Sequence, residues 1–230
     1  MNHLNDSDDD SDDNSYWMMD NDPKHQVTVE SVIERLLRSF FTQDYGEADY
    51  WNQRYSESPD EYEWFMSWSY VYPYVKEFCK KGKALNLGCG NSPMPSEMIS
   101  SGFSQVYNID VSDVLIEQMK KKYSDNSNLI WQTMDCTQLD FPNDYFDCVV
   151  DKGTIDALYC SSNSQELISK TLDEVKRVLK PQYFYISISF GNPQSREYLV
   201  NYPNMNFLKY IDVTNPKNEE STQFIYIFQK

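Results

Sequence analysis

Two glycines at the end of an apolar run are the first residues of this sequence that could bind a ligand. The run KALNLGCGNS (residues 83–92) ends in a turn that contains Gly88 and Gly90, and Pro93 or Pro95 can then begin a helix. Glycines let the backbone approach a ligand closely, and a helix N-terminus offers unpaired N–H groups. The pattern predicts a buried strand, a tight turn and a helix that together bind a nucleotide-like ligand.

Carboxylates follow the next three strand-like runs. Asp110 ends QVYNID, Asp135 follows NLIWQTM, and Asp151 follows YFDCVV with Lys152 beside it. The carboxyl ends of parallel strands meet at one edge of a sheet, so these groups are expected to lie near one another. Asp110, twenty residues after Gly90, could accept from two ribose hydroxyls, and Asp135 from an adenine amino group. The alternative is that each carboxylate merely caps a loop or a helix.

A dinucleotide-binding dehydrogenase would use similar parts and is the first alternative. Its G-x-G-x-x-G fingerprint requires a third glycine at the position of Pro93, where it would serve a pyrophosphate at the helix end. The set of residues therefore favours an adenosine ligand that needs no pyrophosphate site.

The charge of the chain is strongly acidic and unevenly spread. Of a formal net charge of −16 over 230 residues, residues 1–22 carry −8, because they contain eight Asp and neither Lys nor Arg. Such a surface repels phosphate backbones and favours a basic partner. We therefore expect no nucleic-acid partner.

Cysteines and histidines exclude several kinds of chemistry. The five cysteines are odd in number and contain no C-x-x-C pair, so they are expected to be reduced core residues of a cytosolic or nuclear protein. Of the two, the cytoplasm is the predicted location. Both histidines, His3 and His25, precede the expected core, which argues against a histidine base and against a metal site. No apolar run has the length of a membrane helix, so no membrane partner is expected.

Three segments precede the glycine turn. Residues 1–22 are expected to be disordered, as an acidic docking arm or a solubilising tail. Residues 27–42 have helical apolar spacing and predict an amphipathic helix, packed on the core or on a partner. Residues 45–74 are rich in Trp and Tyr, typical of a core or interface, but their place before the glycine turn favours a lid over the ligand. We expect one domain over residues 23–230, in which residues 23–82 form the helix and lid and residues 83–230 the core.

The remaining elements predict the fold class. Three further helices are expected at residues 93–101, 112–123 and 164–179, and three β-rich runs close the chain at 183–190, 206–213 and 222–229. Strands that alternate with helices and are then followed by strands in succession indicate an α/β protein. The prediction is a Rossmann-like, doubly wound, seven-stranded sheet that ends in an antiparallel hairpin.

These motifs carry a family resemblance. LNLGCGNS, the NID strand end, TMDCTQLDFP, FDCVVDKGTIDAL and KRVLKP together resemble the class I S-adenosylmethionine-dependent methyltransferases. YWNQRY and YEWF, combined with DKGTIDAL, are similar to the group that includes the eukaryotic elongation factor 1A lysine methyltransferases. The resemblance covers about residues 50–181. It implies S-adenosyl-L-methionine as cofactor and a lysine side chain of an elongation factor 1A-like protein as substrate.

The resemblance also implies roles for individual residues. Cofactor contacts would come from the lid, the glycine turn and the following strand ends: Trp51, Tyr55, Trp64, Gly88, Gly90, Asp110, Val111, Asp135, Cys136 and Lys152. The motif required for activity would lie between residues 151 and 156 and would include Asp151, Lys152, Gly153, Thr154 and Asp156. We expect the Asp151 carboxylate to orient the substrate beside the opening.

Departures from the family pattern and rival functions bear on the substrate. Relatives often have Glu at the position of Asp151, and many class I enzymes have Pro-Gly-Gly where this chain has PQY (residues 181–183). Enzymes that methylate nucleic-acid amines have an Asp/Asn-Pro-Pro-aromatic turn after the fourth strand, whereas this chain has DKGT (residues 151–154). A small-molecule methyltransferase and a non-catalytic, cofactor-binding interaction module stay open as alternatives.

Overall fold

The computed structural model describes residues 45–215 and 218–230. The predicted acidic tail at 1–22 and the predicted amphipathic helix at 27–42 lie outside the described residues. From Tyr45 onward the chain forms one compact unit around a single sheet.

Helices and strands alternate through most of this unit. In chain order they are α1 (Ala48–Glu57), α2 (Trp68–Val75), β1 (Lys83–Leu87), α3 (Met94–Ser100), β2 (Gln105–Asp110), α4 (Asp113–Lys122), β3 (Leu129–Thr133), β4 (Phe146–Lys152), α5 (Thr154–Tyr159), α6 (Ser164–Val178), β5 (Leu179–Ser189), α7 (Glu197–Val200), β6 (Asn206–Asn215) and β7 (Asn218–Gln229).

The sheet has seven strands in the order β3-β2-β1-β4-β5-β7-β6. Strands β1 to β5 pair in parallel, and β7 pairs antiparallel with both β5 and β6. The predicted Rossmann-like, seven-stranded α/β fold with a terminal antiparallel hairpin is confirmed. Strand order reverses between β1 and β4, and the carboxyl ends of strands at such a switch point leave a crevice for a ligand.

Helices cover both faces of the sheet, because the central strands are apolar on both sides. On one face, α2, α3 and α4 bury residues such as Val71, Met98 and Leu115. On the other, α5 and α6 bury Ile155 and Leu172. At roughly 25 cal/mol for each Å² of apolar surface removed from water, this burial is the main force that holds the site's elements in place.

The predicted element boundaries hold for most of the core, with three corrections. Strand β4 continues through Lys152 instead of ending before Asp151. Helix α6 has Asn163 at its N-cap and no side-chain cap, although Ser164 was the predicted cap. Pro181 does not follow a helix end at 179, since α6 ends at Val178 and Pro181 lies within β5. There the β4–β5 register shifts, and such an irregularity is where a strand tolerates proline.

Four helices were not predicted individually, and α7 is one of them. Helices α1 and α2 lie within the aromatic segment that the sequence indicated only as a lid, and α5 is a short helix of six residues after β4. Across the described residues, no helix is both long and apolar enough to cross a membrane. The cysteines of the described residues form no disulfide, and Cys160 is exposed and not part of the core.

Ser112 joins the start of α4 to the lid, and this contact can be tested. Its Oγ accepts from the Leu115 N–H at 3.2 Å and donates to Asn52 Oδ1 at 2.6 Å. Because Ser112→Ala removes a helix cap and a buried hydrogen bond, we expect it to lower the free energy of unfolding by about 1–2 kcal/mol in a urea titration. Ser164→Ala is the matched control, since α6 has no side-chain cap, and a loss as large in the control would contradict this account.

Candidate active site

A cavity of about 380 Å³ lies at the carboxyl ends of β1, β2 and β4, the size of a small-ligand site. It is lined by all but one of the residues predicted from the sequence: Trp51, Tyr55, Trp64, Gly88, Gly90, Asp110, Val111, Asp135, Cys136, Lys152, Gly153, Thr154 and Asp156. The exception is Asp151. The fold thus brings residues from six separate stretches of chain to one place.

The glycine turn after β1 forms one wall, and its shape requires glycine. Gly88 has a φ of 63°, and an added Cβ would lie 2.1 Å from Thr154 Oγ1. That hydroxyl donates to the Leu87 carbonyl at 2.7 Å, which holds the start of α5 against the end of β1. The turn and the DKGT motif are therefore packed together without room for any other side chain.

Asp110 organises the second wall. Its Oδ2 accepts from the Gly90 N–H at 3.1 Å and its Oδ1 from the Ser112 N–H at 3.1 Å. Burial raises the pKa of this carboxyl to about 6, although the backbone N–H groups oppose the shift. A carboxylate oxygen has a second acceptor site, so Asp110 can still accept from hydroxyls of a ligand in the cavity.

Asp135 and Cys136, after β3, lie side by side with different exposure. Asp135 is exposed, and its Oδ1 accepts from the Thr137 N–H at 2.8 Å. Cys136 Sγ lies 3.5 Å from Thr171 Oγ1, and burial raises the pKa of the thiol to about 12. The thiol therefore stays protonated near neutral pH and is a wall of the cavity, not a nucleophile.

The aromatic segment covers the glycine turn. The Trp51 and Tyr55 rings stack at 5.7 Å, and the Trp51 Nε1–H donates to the Tyr45 carbonyl at 2.7 Å. The Tyr55 hydroxyl lies 3.4 Å from the position that a Cβ on Gly90 would take. Helix α1 thus places the Tyr55 ring beside the turn, with the Trp51 ring stacked on it.

Lys152 is the cation of the cavity, and a lid residue holds it. Its ammonium pairs with Glu63 Oε1 and donates to the Met66 carbonyl at 3.3 Å. Burial lowers the pKa of Lys152 to about 7, whereas the negative charge of Glu63 favours the protonated form. Glu63 is not among the residues predicted from the sequence, because one glutamate in an aromatic segment has no spacing signal that separates it from surface acids.

Asp151 does not line the cavity, which corrects the expectation that its carboxylate lies beside the opening. It is fully buried on the other side of β4, where Oδ1 accepts from the Ile155 N–H at 3.2 Å and Oδ2 from the Tyr185 hydroxyl at 2.6 Å. Burial raises the pKa of the Asp151 carboxyl to about 6. The structure therefore gives it the role of fixing the start of α5, at a distance from any ligand.

Asp156 lines the cavity, and both of its carboxylate oxygens already accept hydrogen bonds from the protein. Oδ1 accepts from Arg196 Nη2 at 2.8 Å and also from Ser189 Oγ, and Oδ2 accepts from the Phe190 N–H at 2.8 Å. These bonds tie α5 to the end of β5. Arg196 was not predicted, because it lies forty residues away from Asp156 in a stretch without a motif.

The arrangement is suited to binding and positioning. Within the described ranges there is no group of three or more His, Cys, Asp or Glu side chains that could hold a metal ion. The nearest carboxylates are committed to structural bonds, and the two histidines lie outside the described residues. A reaction whose electrophile comes from the ligand fits such a site better than one that needs a protein nucleophile.

The sequence of this chain is similar to those of known proteins. Residues 85–186 match the family model described as a methyltransferase domain. The chain is 36% identical over 163 residues to "EEF1A lysine methyltransferase 4" of Mus musculus, covering 66% of this chain and 64% of that protein. It is 31% identical over 155 residues to "eEF1A lysine and N-terminal methyltransferase" of Homo sapiens, covering 65% of this chain and 22% of that protein. The chain thus spans slightly less than two thirds of the first relative and about a fifth of the second.

Solved structures agree at the level of the fold. A SAM-dependent methyltransferase of Methanosarcina mazei matches with a TM-score of 0.56 and 17% identity, covering 69% of this chain and 97% of that chain. A protein described under the conversion of a disulfide bond into a thioacetal group during echinomycin biosynthesis matches with a TM-score of 0.61 and 15% identity, covering 80% and 93%. With the family model and the relatives, these matches confirm the resemblance to methyltransferases that the motifs indicated.

The buried carboxyl of Asp151 predicts a pH effect on stability. Because its pKa rises from 3.8 to about 6 on folding, the folded protein keeps a proton there between about pH 4 and 6 that the unfolded chain has lost. This group therefore lowers stability as the pH rises through that window. Asp151→Asn removes the titration, so the free energy of unfolding of the variant minus that of the wild type should rise between pH 4 and 7, on the order of 1–3 kcal/mol.

The measurement is urea unfolding at half-unit pH steps. Asp125→Asn, which changes an exposed carboxylate to an amide, is the control and should give a difference that varies much less over the same range. A difference for Asp151→Asn that is flat or falls with pH would contradict the buried placement of this carboxyl.

Proposed function

On the premise that this chain carries a methyltransferase domain, we propose that it is an S-adenosyl-L-methionine-dependent protein-lysine methyltransferase whose substrate is an elongation factor 1A-like protein. The observation that carries the proposal is one cavity that joins an adenosine-shaped set of residues to an aromatic, acid-flanked opening. The names of the relatives favour elongation factor 1A as the substrate. The proposal also assigns the activity to the cytoplasm.

The residues of the cavity fit the cofactor. Asp110 offers carboxylate oxygens to ribose hydroxyls, Trp51 and Tyr55 offer ring faces to a flat base or a sulfonium, and Lys152 offers a cation. Gly88 lets the Thr154 side chain pack against the turn, where a Cβ would clash with it. Bound there, the cofactor would supply a methyl group made electrophilic by a positively charged sulfur.

An aromatic pair supports a lysine as the other reactant. The Phe65 ring lines the cavity and stacks at 6.4 Å on Phe190, whose side chain is 60% exposed. The pair therefore leads from the cavity to solvent. Aromatic faces attract ammonium groups, and the acidic chain attracts a basic surface, so both features favour a lysine-bearing protein over an anionic substrate.

The site can favour the neutral amine without a dedicated base. A lysine must lose its proton before its lone pair can attack, and transfer to a desolvated wall lowers the pKa of an ammonium. Lys152 indicates the strength of this desolvation, because burial lowers its pKa to about 7. A substrate lysine that enters beside Phe65 would meet the same desolvation, so the residues of the cavity act by excluding water and by orienting the amine.

The cofactor proposal predicts the effect of one isosteric change. Asp110→Asn keeps the shape of the side chain but removes the charge that strengthens hydrogen bonds from ribose hydroxyls, so we expect the Kd for S-adenosylmethionine to rise about 10- to 100-fold. Isothermal titration calorimetry measures this directly. Asp113→Asn, an exposed residue in the first turn of α4, is the control and should leave the Kd within about twofold. Equal affinities for wild type and Asp110→Asn would remove Asp110 from the cofactor site.

The substrate proposal is tested by labelling. Incubation of the protein with radiolabelled S-adenosylmethionine and purified elongation factor 1A, followed by mass spectrometry, should give a methylated lysine. Phe190→Ala should lower this labelling at least about tenfold while cofactor affinity is unchanged, because it removes a ring from the opening only. Tyr210→Ala, which removes another exposed ring, on β6, is the control.

Labelling of a fractionated lysate in the same way has two outcomes that would overturn the substrate proposal. If a fractionated lysate is labelled only in its small-molecule fraction, the protein is a small-molecule methyltransferase. If cofactor binds but nothing in the lysate is labelled, the chain is a non-catalytic, cofactor-binding module.

A further inference from the structure

Glu63 is the acidic residue of the lid that reaches into the core, and it is the second residue of the YEWF motif, although no role was predicted for it. It lies in the stretch between α1 and α2, and its Oε1 pairs with the ammonium of Lys152 at the end of β4. The lysine side chain is 5% exposed and the glutamate 18%. The contact thus joins two segments 89 residues apart at the wall of the cavity.

Stability alone does not account for this pair. Removing two charges from water costs about as much as their attraction returns, so a buried ion pair is a weak source of folding free energy. In addition, Glu63 Oε2 is buried and has no hydrogen-bond partner among the described residues. A buried carboxylate oxygen without a donor is destabilising, so the pair must bring an advantage other than stability.

The position of the Glu63–Lys152 pair supplies that advantage. Lys152 lines the cavity and precedes Gly153, and Trp64 and Phe65, which directly follow Glu63, also line the cavity. The Phe65 ring lies 3.3 Å from where a Cβ on Gly153 would be. One ion pair therefore sets both the direction of the Lys152 ammonium and the place of two lid rings.

We propose that Glu63 is a positioning residue for cofactor binding, which orients Lys152 and fastens the lid through a single ion pair. The inference rests on the proposed function, since it takes the ligand of the cavity to be S-adenosylmethionine. Glu63 does not line the cavity and is not assigned contact with the reacting atoms.

The same stretch of chain contains a matched control. Glu61, two residues earlier, pairs with Lys122 on α4 at 2.7 Å, but these side chains are 47% and 41% exposed. An exposed pair of this kind contributes little, because water screens it. Both glutamates connect the lid to a lysine of the core, and only Glu63 does so at the cavity.

The test compares Glu63→Gln with Glu61→Gln by calorimetry with S-adenosylmethionine and by steady-state kinetics. We expect Glu63→Gln to raise the Kd and the KM for the cofactor at least tenfold and to change kcat at saturating cofactor by less than threefold. Glu61→Gln should leave all three within twofold. Limited chymotrypsin digestion should cleave after residues 62, 64 or 65 faster in Glu63→Gln than in wild type and no faster in Glu61→Gln.

A double-mutant cycle separates positioning from a general structural role. If Glu63 acts through Lys152, then Glu63→Gln combined with Lys152→Gln should bind the cofactor as weakly as Lys152→Gln alone. The inference would be overturned if the two substitutions multiplied each other's effect on the Kd, or if Glu63→Gln had the wild-type Kd. The proposed function would stand in either case. If the wild type itself binds no S-adenosylmethionine, the proposed function and the inference fall together.

Discussion

The site depends on one buried carboxylate, that of Asp110, and on the hydrogen bonds that it accepts from two backbone N–H groups. Its oxygens bridge the turn after β1 and the start of α4, at 3.1 Å in each case. Loop backbone at a strand end has few partners of its own, so this bridge satisfies donors that would otherwise be buried alone. Burial raises the pKa of the carboxyl to about 6, which means that the protein holds a costly group at the wall of the cavity.

Glycine is what lets the bridge close. With φ at 63° and 55°, Gly88 and Gly90 bend the chain so that the Gly90 N–H faces Asp110 and the Thr154 side chain fits over Gly88. At the start of α5, Asp151 accepts from the Ile155 N–H, and Asp156 accepts from the Phe190 N–H after β5. Three aspartates thus set the shape of the cavity: Asp110 at the glycine turn, and Asp151 and Asp156 at α5.

Periodicity predicted the sheet well, because the central strands are buried on both faces and their apolar runs are unmistakable. The glycine turn, Asp110 and the helices with regular apolar spacing could be predicted for the same reason: each depends on local sequence. Glu63 and Arg196 could not, because their partners Lys152 and Asp156 lie 89 and 40 residues away. Helix α5 was missed because six residues are too few for a periodic signal.

The placement of Asp151 follows from the geometry of a strand. Successive side chains of a β-strand point to opposite faces, so two adjacent residues within β4 cannot both face the same side. Lys152 lies on the cavity wall with Glu63, and Asp151 must then point to the face that carries Tyr185 and the start of α5. Treating β4 as ended before Asp151 hid this alternation. The two residues therefore have different roles: Asp151 supports the start of α5, and Lys152, paired with Glu63, lies at the cavity.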